Sequence, residues 1–403
     1  MLPPLKTIKD GLSRTTEALA AELARPGSAT PAWTPLEWQL ASVSAVVHGV
    51  SPLLSERCRW QAPEWQRFLA AQRGHVEQRH RRIVALLERI DRAARSAGVA
   101  MVPLKGSALH ALGLYAPGER PMADIDLLAR ESDADTASQL LQALGYEESF
   151  RQWKHRVFKP RGAEPPAVLG EHRDTPINIE LHVRIQERLP VALADISERI
   201  HPSSPHVGLN AYPSTGVLMS HLLLHAAGNI CNRTLRLLHL HDIALLSSRM
   251  SPADWNDCLD ERVAGPAWWA LPPLTLAARY YPDSVPEAVL ERLATTCPTI
   301  LRSVSRHQTL TQVSCSDLWL HAFPGIEWSR SLTEVTHYVR NRIRPPREAI
   351  EERNDMVRTQ LWLRDQPWVS AAQKRRVLTW LTRPVPRMDT MYAVRAALES
   401  SAA

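Results

Sequence analysis

The chain has 403 residues, 44% hydrophobic and 22% charged, which allows one large or two to three modest domains with a real core and sets aside a low-complexity chain. A formal net charge of +6, spread along the sequence, tolerates a polyanionic partner without requiring one. No apolar run approaches the ~20 residues that span a bilayer, and the N-terminus lacks a basic stretch followed by an apolar one, so neither a membrane span nor the usual signal peptide is expected. Five dispersed cysteines without a Cys-x-x-Cys pair read as reduced thiols of a cytoplasmic protein.

Residues 1–98 read as a helical region. Lys9 to Ala24 is amphipathic and stops near Pro26-Gly27, and Trp38 to Trp60 is a second apolar helical stretch with breaks expected at Gly49 and Pro52. Trp65 to Ala97 repeats apolar residues at helical spacing, with an interruption expected at Gly74 and a glycine cap at Gly98. Aromatic use is skewed, 13 Trp against 4 Phe, which points to Trp at helix contacts or to genomic composition.

The period then changes. Val99 to Leu104 reads as a short buried strand, Ser107 to Leu114 as a helix after a Gly-Ser turn, and Ser132 to Leu144 as a helix with Ser132 as its N-cap. Residues 146–190 supply further strands, with a Pro- and Gly-rich loop from Pro160 to Pro176. This ordering outlines a compact α+β core at 99–210, followed by a C-terminal helical region at 211–403.

Within the core, Arg120-Pro121-Met122-Ala123-Asp124-Ile125-Asp126-Leu127-Leu128 places two carboxylates in an apolar run. Strand side chains alternate with period two, so Asp124 and Asp126 share one face and Ile125 and Leu127 the other. Like charges on one face repel, and a divalent cation held by carboxylate oxygens is the commonest remedy. A second run, Ile177-Asn178-Ile179-Glu180-Leu181-His182, adds Glu180 on a polar face shared with Asn178 and His182. Upstream, Leu104-Lys105-Gly106-Ser107 joins strand to helix, and Lys105 and Arg120 supply cations suited to phosphates.

These motifs resemble the DNA polymerase beta-type nucleotidyltransferase superfamily, and more closely a bacterial group with Leu-Lys-Gly, Arg-Pro-x-x-Asp-Ile-Asp-Leu-Leu and Glu-Leu-His, here at Leu104, Arg120 and Glu180 onward. The resemblance implies a small mixed-sheet nucleotidyltransferase core flanked by N- and C-terminal helical regions. It implies Mg2+ held by Asp124, Asp126 and Glu180, with a two-metal arrangement. Gly106, Ser107, Lys105 and Arg120 would then face the nucleoside triphosphate. The expected reaction moves a nucleoside monophosphate to a hydroxyl or similar acceptor on a small molecule, a protein or RNA, the first two slightly preferred. The alternatives are a non-catalytic binding or regulatory protein retaining the fold, and a toxin-like enzyme acting on tRNA.

Other groupings carry less. His221 and His225 stand at i, i+4, a spacing open to transition metals, but no His-Glu-x-x-His or cysteine pair accompanies them, so packing is the plainer reading. Asp242 is a second possible lining of a cleft between core and helices. The absence of Gly-x-x-x-x-Gly-Lys-Ser/Thr and of Gly-x-Ser-x-Gly removes support for a P-loop or an ordinary serine hydrolase.

Overall fold

The computed structural model describes residues 2–400 apart from 153, 165, 167, 261–264, 360–362, 364–365, 367–368 and 370. The N-terminal region folds as four helices whose ends follow local signals. Helix α1 spans Leu5–Ala24 and α2 spans Pro35–Val47. Thr34 and Glu37 form a reciprocal capping box at the start of α2, with Pro35 in its first turn. Gly49, at φ 69°, ends that stretch before α3, Ser51–Arg57. Helix α4 runs unbroken from Pro63 to Ala97 and closes on Gly98 at φ 71°. The break expected at Gly74 does not occur. A glycine costs about 1 kcal/mol against Ala in a helix, far less than the burial of Trp65, Leu69, Val76, Ile83 and Ile90 along the same helix contributes.

The architecture is α+β, as the sequence pattern indicates, with a mixed sheet of six strands. In chain order these are β1 Ala100–Pro103, β2 Asp124–Ala129, β3 Tyr146–Arg151, β4 His155–Pro160, β5 Asn178–His182 and, after a two-stranded ribbon at Gln186–Arg188 and Leu193–Asp195, the short strand Gly208–Leu209. The sheet order is β3-β4-β5-β2-β1 followed by the Gly208–Leu209 strand. Helix α5, Gly106–Ala111, follows β1, α6, Ala134–Ala143, follows β2, and the single turn α7, Ser197–Ile200, follows the ribbon. Ser132 does not cap α6. A 3-10 turn at Glu131–Asp133 precedes the helix, and the Ser132 hydroxyl instead reaches the Asp133 carboxylate at 3.2 Å.

Burial assigns the two faces of the sheet. Ile125, Leu127, Ile179 and Leu181 are fully buried against Ile83, Leu86 and Ile90 of α4 and Leu140 and Leu141 of α6. Each such side chain contributes about 1.5–3 kcal/mol, and together they lock the strand register. A one-residue slip would turn the whole set to the wrong face. The opposite face carries Asp124, Asp126, Glu180 and His182. It looks toward a second core that joins Val102, Leu104 and Leu128 to residues of α8, Thr215–Asn232, and α9, Leu237–Ser247. That core continues into the N-terminal helices, through Leu19, Leu53 and Trp60, and into later helices, through Leu274, Leu293 and Leu301. All five cysteines are free thiols. No helix among the described residues is long and apolar enough to cross a membrane.

Candidate active site

Strands β2 and β5 pair in parallel, with Asp124 opposite Asn178, Asp126 opposite Glu180 and Leu128 opposite His182. In-register parallel neighbours on one face lie side by side, so this pairing sets Asp126 beside Glu180. The His182 Nε2 lies 2.9 Å from Asp126 Oδ1 and 3.4 Å from Glu180 Oε2. Asp126, Glu180 and His182 offer ligand atoms all within 4.8 Å of one another, the one such grouping among the described residues. Asp124, two residues along the same face, stands outside this trio. It is half-buried, and its carboxylate makes no hydrogen bond with the described residues.

Lys105 enters from the β1–α5 turn. Its Nζ lies 3.2 Å from Asp126 Oδ2, and its backbone adopts φ 46°, ψ −111°, a conformation that L residues rarely hold. Such strain persists where surrounding contacts over-determine it. Here Leu104 N–H donates to Asp126 O at 2.9 Å, and Lys105 N–H reaches the Tyr212 hydroxyl at 3.4 Å. Ser107 is buried, and its N–H closes the turn onto Leu104 O at 3.2 Å. A Cβ at Gly106 would lie 2.4 Å from Arg120 Nη1 and 2.8 Å from Met122 Sδ. Arg120 and Met122 by themselves impose a steric need for glycine there.

Arg120 is placed differently from the phosphate contact expected of it. Its Nε and Nη2 donate to the two carboxylate oxygens of Asp242 at 2.8 and 2.7 Å, and the Tyr115 hydroxyl donates to the same Oδ1 at 2.6 Å. Both Arg120 and Asp242 are buried. Asp242 therefore ties α9 to the loop ahead of β2 instead of lining an open cleft.

The electrostatics follow from crowding. Burial, then Asp126 and Glu180, push the Asp124 carboxyl up to about 7, against the pull of Lys105 and Arg236. Burial also opposes charge on Asp126, yet Lys105 and His182 outweigh it and hold that carboxyl well below the usual range. Glu180 is likewise lowered despite burial, through His182, and His182 and Lys105 are raised despite burial by the carboxylates around them. One face of the sheet thus holds three carboxyl groups, and the shift at Asp124 comes first from its burial and then from Asp126 and Glu180. Oxygen donors of this kind suit a divalent cation. Asp126, Glu180 and His182 stand close enough together to share a metal ion, with Asp124 on the same face.

Sequence patterns did not single out two arginines. Arg79 of α4 is buried and donates to Thr175 O at 2.6 Å, Met122 O at 2.9 Å and Ala123 O at 3.3 Å, with Glu171 3.2 Å from its Nε. It pins the segments that lead into β2 and β5. The available signal was a lone cation on the apolar stripe of α4. Arg236, just ahead of α9, is exposed and lines a cavity of about 490 Å³ with Pro121, Ala123 and Glu171. Its side chain forms no ion pair among the described residues, and an arginine flanked by two leucines was its only mark in the sequence. The histidines at i, i+4 pack instead of gathering ligands. His221 Nδ1 meets the Tyr212 hydroxyl at 2.7 Å, and His225 Nδ1 lies 3.8 Å from Glu187 Oε1.

The motifs, the mixed sheet and the register of Asp126 with Glu180 coincide with a family described as uncharacterised nucleotidyltransferase, whose profile matches residues 34–282. The chain belongs to this family. The matched span runs from the capping box of α2 through the sheet and α9 into the helix Leu271–Tyr280, so it includes every site residue named above. Membership supports a general nucleotidyltransferase function, and with it transferase activity and binding of a nucleoside triphosphate. No curated protein matches the chain.

Proposed function

We propose that the protein is a Mg2+-dependent nucleotidyltransferase that moves a nucleoside monophosphate from a nucleoside triphosphate to a hydroxyl or similar acceptor. The acceptor oxygen bonds to the α-phosphorus, the bond to the leaving pyrophosphate breaks, and the acceptor proton passes to a base. The observation that carries this reading is the parallel register that sets Asp126 beside Glu180, with Asp124 on the same face. Asp124, Asp126 and Glu180 would hold the cation, which supplies charge neutralisation for the phosphates. Glu180, kept ionised by His182, can receive the acceptor proton. The Lys105 ammonium, at the strained turn with Gly106 and Ser107, can meet phosphate oxygens, and the exposed Arg236, whose charge is felt at Asp124, can do the same. Arg120 supports this geometry through Asp242.

A small molecule or a protein side chain is favoured over RNA as acceptor, because the cavity that Ala123 lines, next in sequence to Asp124, pairs Arg236 with Glu171 and is not a continuous basic groove of the kind that phosphate-dominated binding uses. The test is incubation of the purified protein with each labelled nucleoside triphosphate, Mg2+ and cell extract, followed by mass analysis of labelled products. Transfer is expected in the native protein and lost in Asp126→Ala and Glu180→Gln. Absence of cation-dependent triphosphate binding in the native protein would return the fold to a non-catalytic role.

A further inference from the structure

Four of the 13 tryptophans gather at one place. Trp33, Trp38, Trp60 and Trp65 stack edge to face or tilted, with centroid separations from 4.9 to 6.1 Å, and Phe68 adds a fifth ring 5.8 Å from Trp65. The two inner rings are core. Trp60 is 1% exposed and donates to the Ser28 hydroxyl at 2.8 Å, and Trp65 is 3% exposed and reaches Cys58 Sγ at 3.5 Å. The outer two differ. Trp33 and Trp38 are half-buried, their indole N–H groups have no hydrogen-bond partner among the described residues, and with Trp65 and Phe68 they wall a cavity of about 660 Å³.

That corner is rigid before any ligand arrives. Trp33 precedes the Thr34 cap of α2 and Trp38 follows Glu37, the positions of a hydrophobic staple around the capping box. Their rings sit 4.9 Å apart at 68°, presenting two flat faces nearly at right angles. Gln39, Ser42, Glu64 and Arg67 stand on the rim and offer both donors and acceptors. The cavity lined by Arg236 lies next to this one: Leu169 lines both, and the helix Met388–Ser400 contributes Ala393 and Ala396 to the Arg236 cavity and Ala397 to the tryptophan one.

From this arrangement we infer that the tryptophan-walled cavity binds a saccharide. A pyranose ring has a flat C–H face that packs on an indole and a periphery of hydroxyls that need both donors and acceptors. A volume of this size suits such a ligand and a preformed site. A nucleobase could also stack on tryptophan. Against it, the lining pairs Glu64 with Arg67 and so offers no surplus positive charge for the phosphates that a nucleotide brings. Saccharide binding does not depend on the transferase reading above.

The test uses the full-length protein, labelled and applied to an array of mono- and oligosaccharides without nucleotide or metal. The strongest glycan found is then titrated by tryptophan fluorescence. Binding to a glycan is expected, weakened about tenfold or more in Trp33→Ala and clearly reduced in Gln39→Ala, a rim change that leaves the ring packing intact. Thermal melting confirms that each variant is folded. Asp126→Ala should lose transfer while binding the glycan normally, which separates failure of the transferase reading from failure of this one. Absence of binding to any glycan overturns the inference, as does glycan binding unaffected by Trp33→Ala and Gln39→Ala. A nucleoside triphosphate whose binding is lost in Trp33→Ala overturns it as well, in favour of a base pocket.

Discussion

The pair Arg120–Asp242 decides whether a motif arginine serves the fold or the substrate. Arg120 is 8% exposed and Asp242 2% exposed, and both carboxylate oxygens are engaged by the guanidinium. Replacing Asp242 with Ala leaves a buried guanidinium without its counter-charge and also strips the Tyr115 hydroxyl of its acceptor. Breaking a buried pair by removing one partner costs about 3–5 kcal/mol. With an unfolding entropy of ~2.1 cal/mol/K per residue over 403 residues, or roughly 0.85 kcal/mol/K, the melting temperature should fall by about 4–6 °C. Arg120→Met should cost a similar amount. The double variant Arg120→Met/Asp242→Leu should recover most of the loss, because a buried pair can be exchanged for apolar residues at little net cost. Calorimetry measures the stabilities, and titration with a triphosphate and Mg2+ measures binding. If the double variant melts like the native protein yet binds triphosphate tenfold or more weakly, Arg120 touches phosphate and the structural assignment is refuted.

Three further outcomes are expected. Gly106→Ala should destabilise by about 1–3 kcal/mol in urea unfolding, since the new methyl must displace Arg120 or Met122; a neutral effect would show that both side chains yield freely. Arg79→Met should lose roughly 2–4 kcal/mol and lower transferase turnover more than triphosphate affinity, because it frees the segments ahead of β2 and β5 without touching the nucleotide. His48 sets an acid limb. It is buried and accepts from Leu237 N–H at 3.0 Å through Nδ1, with Nε2 facing the Ser316 hydroxyl at 3.0 Å, and burial followed by Arg236 holds its pKa down to about 3. The unfolded chain takes a proton on this histidine below about pH 6.5 and the folded one does not, so its contribution is full above that value and lost as pH falls. By about pH 5 it should have removed about 2 kcal/mol, and His48→Gln should flatten that slope in urea titrations while lowering stability near neutrality.

Legibility in the sequence followed the range of the physical cause. Period-two alternation in Asp124–Leu128 and Asn178–His182 is local, and burial of Ile125, Leu127, Ile179 and Leu181 bears out the faces read from it. Capping signals are local too, so α2, α4 and the Gly98 stop lie within a few residues of expectation. The weaker readings concerned competition between local options. Gly74 did not break α4 because tertiary burial along that helix outweighs one glycine, and Ser132 did not cap because a 3-10 turn displaced the helix start.

By itself, then, the chain's order of residue types determined an α+β core between helical regions, the polar face of its strands, and the carboxylates on that face, since each depends on neighbours a few positions apart. Only the tertiary structure decided which charges meet. Asp242 lies 122 residues from Arg120 and takes up its charge, Lys105 settles on Asp126, and Arg79 ties α4 to the segments that lead into both acidic strands. Such pairings depend on how helices and sheet close around a shared core, and a charged side chain carries no mark in the sequence of the partner that burial will force on it.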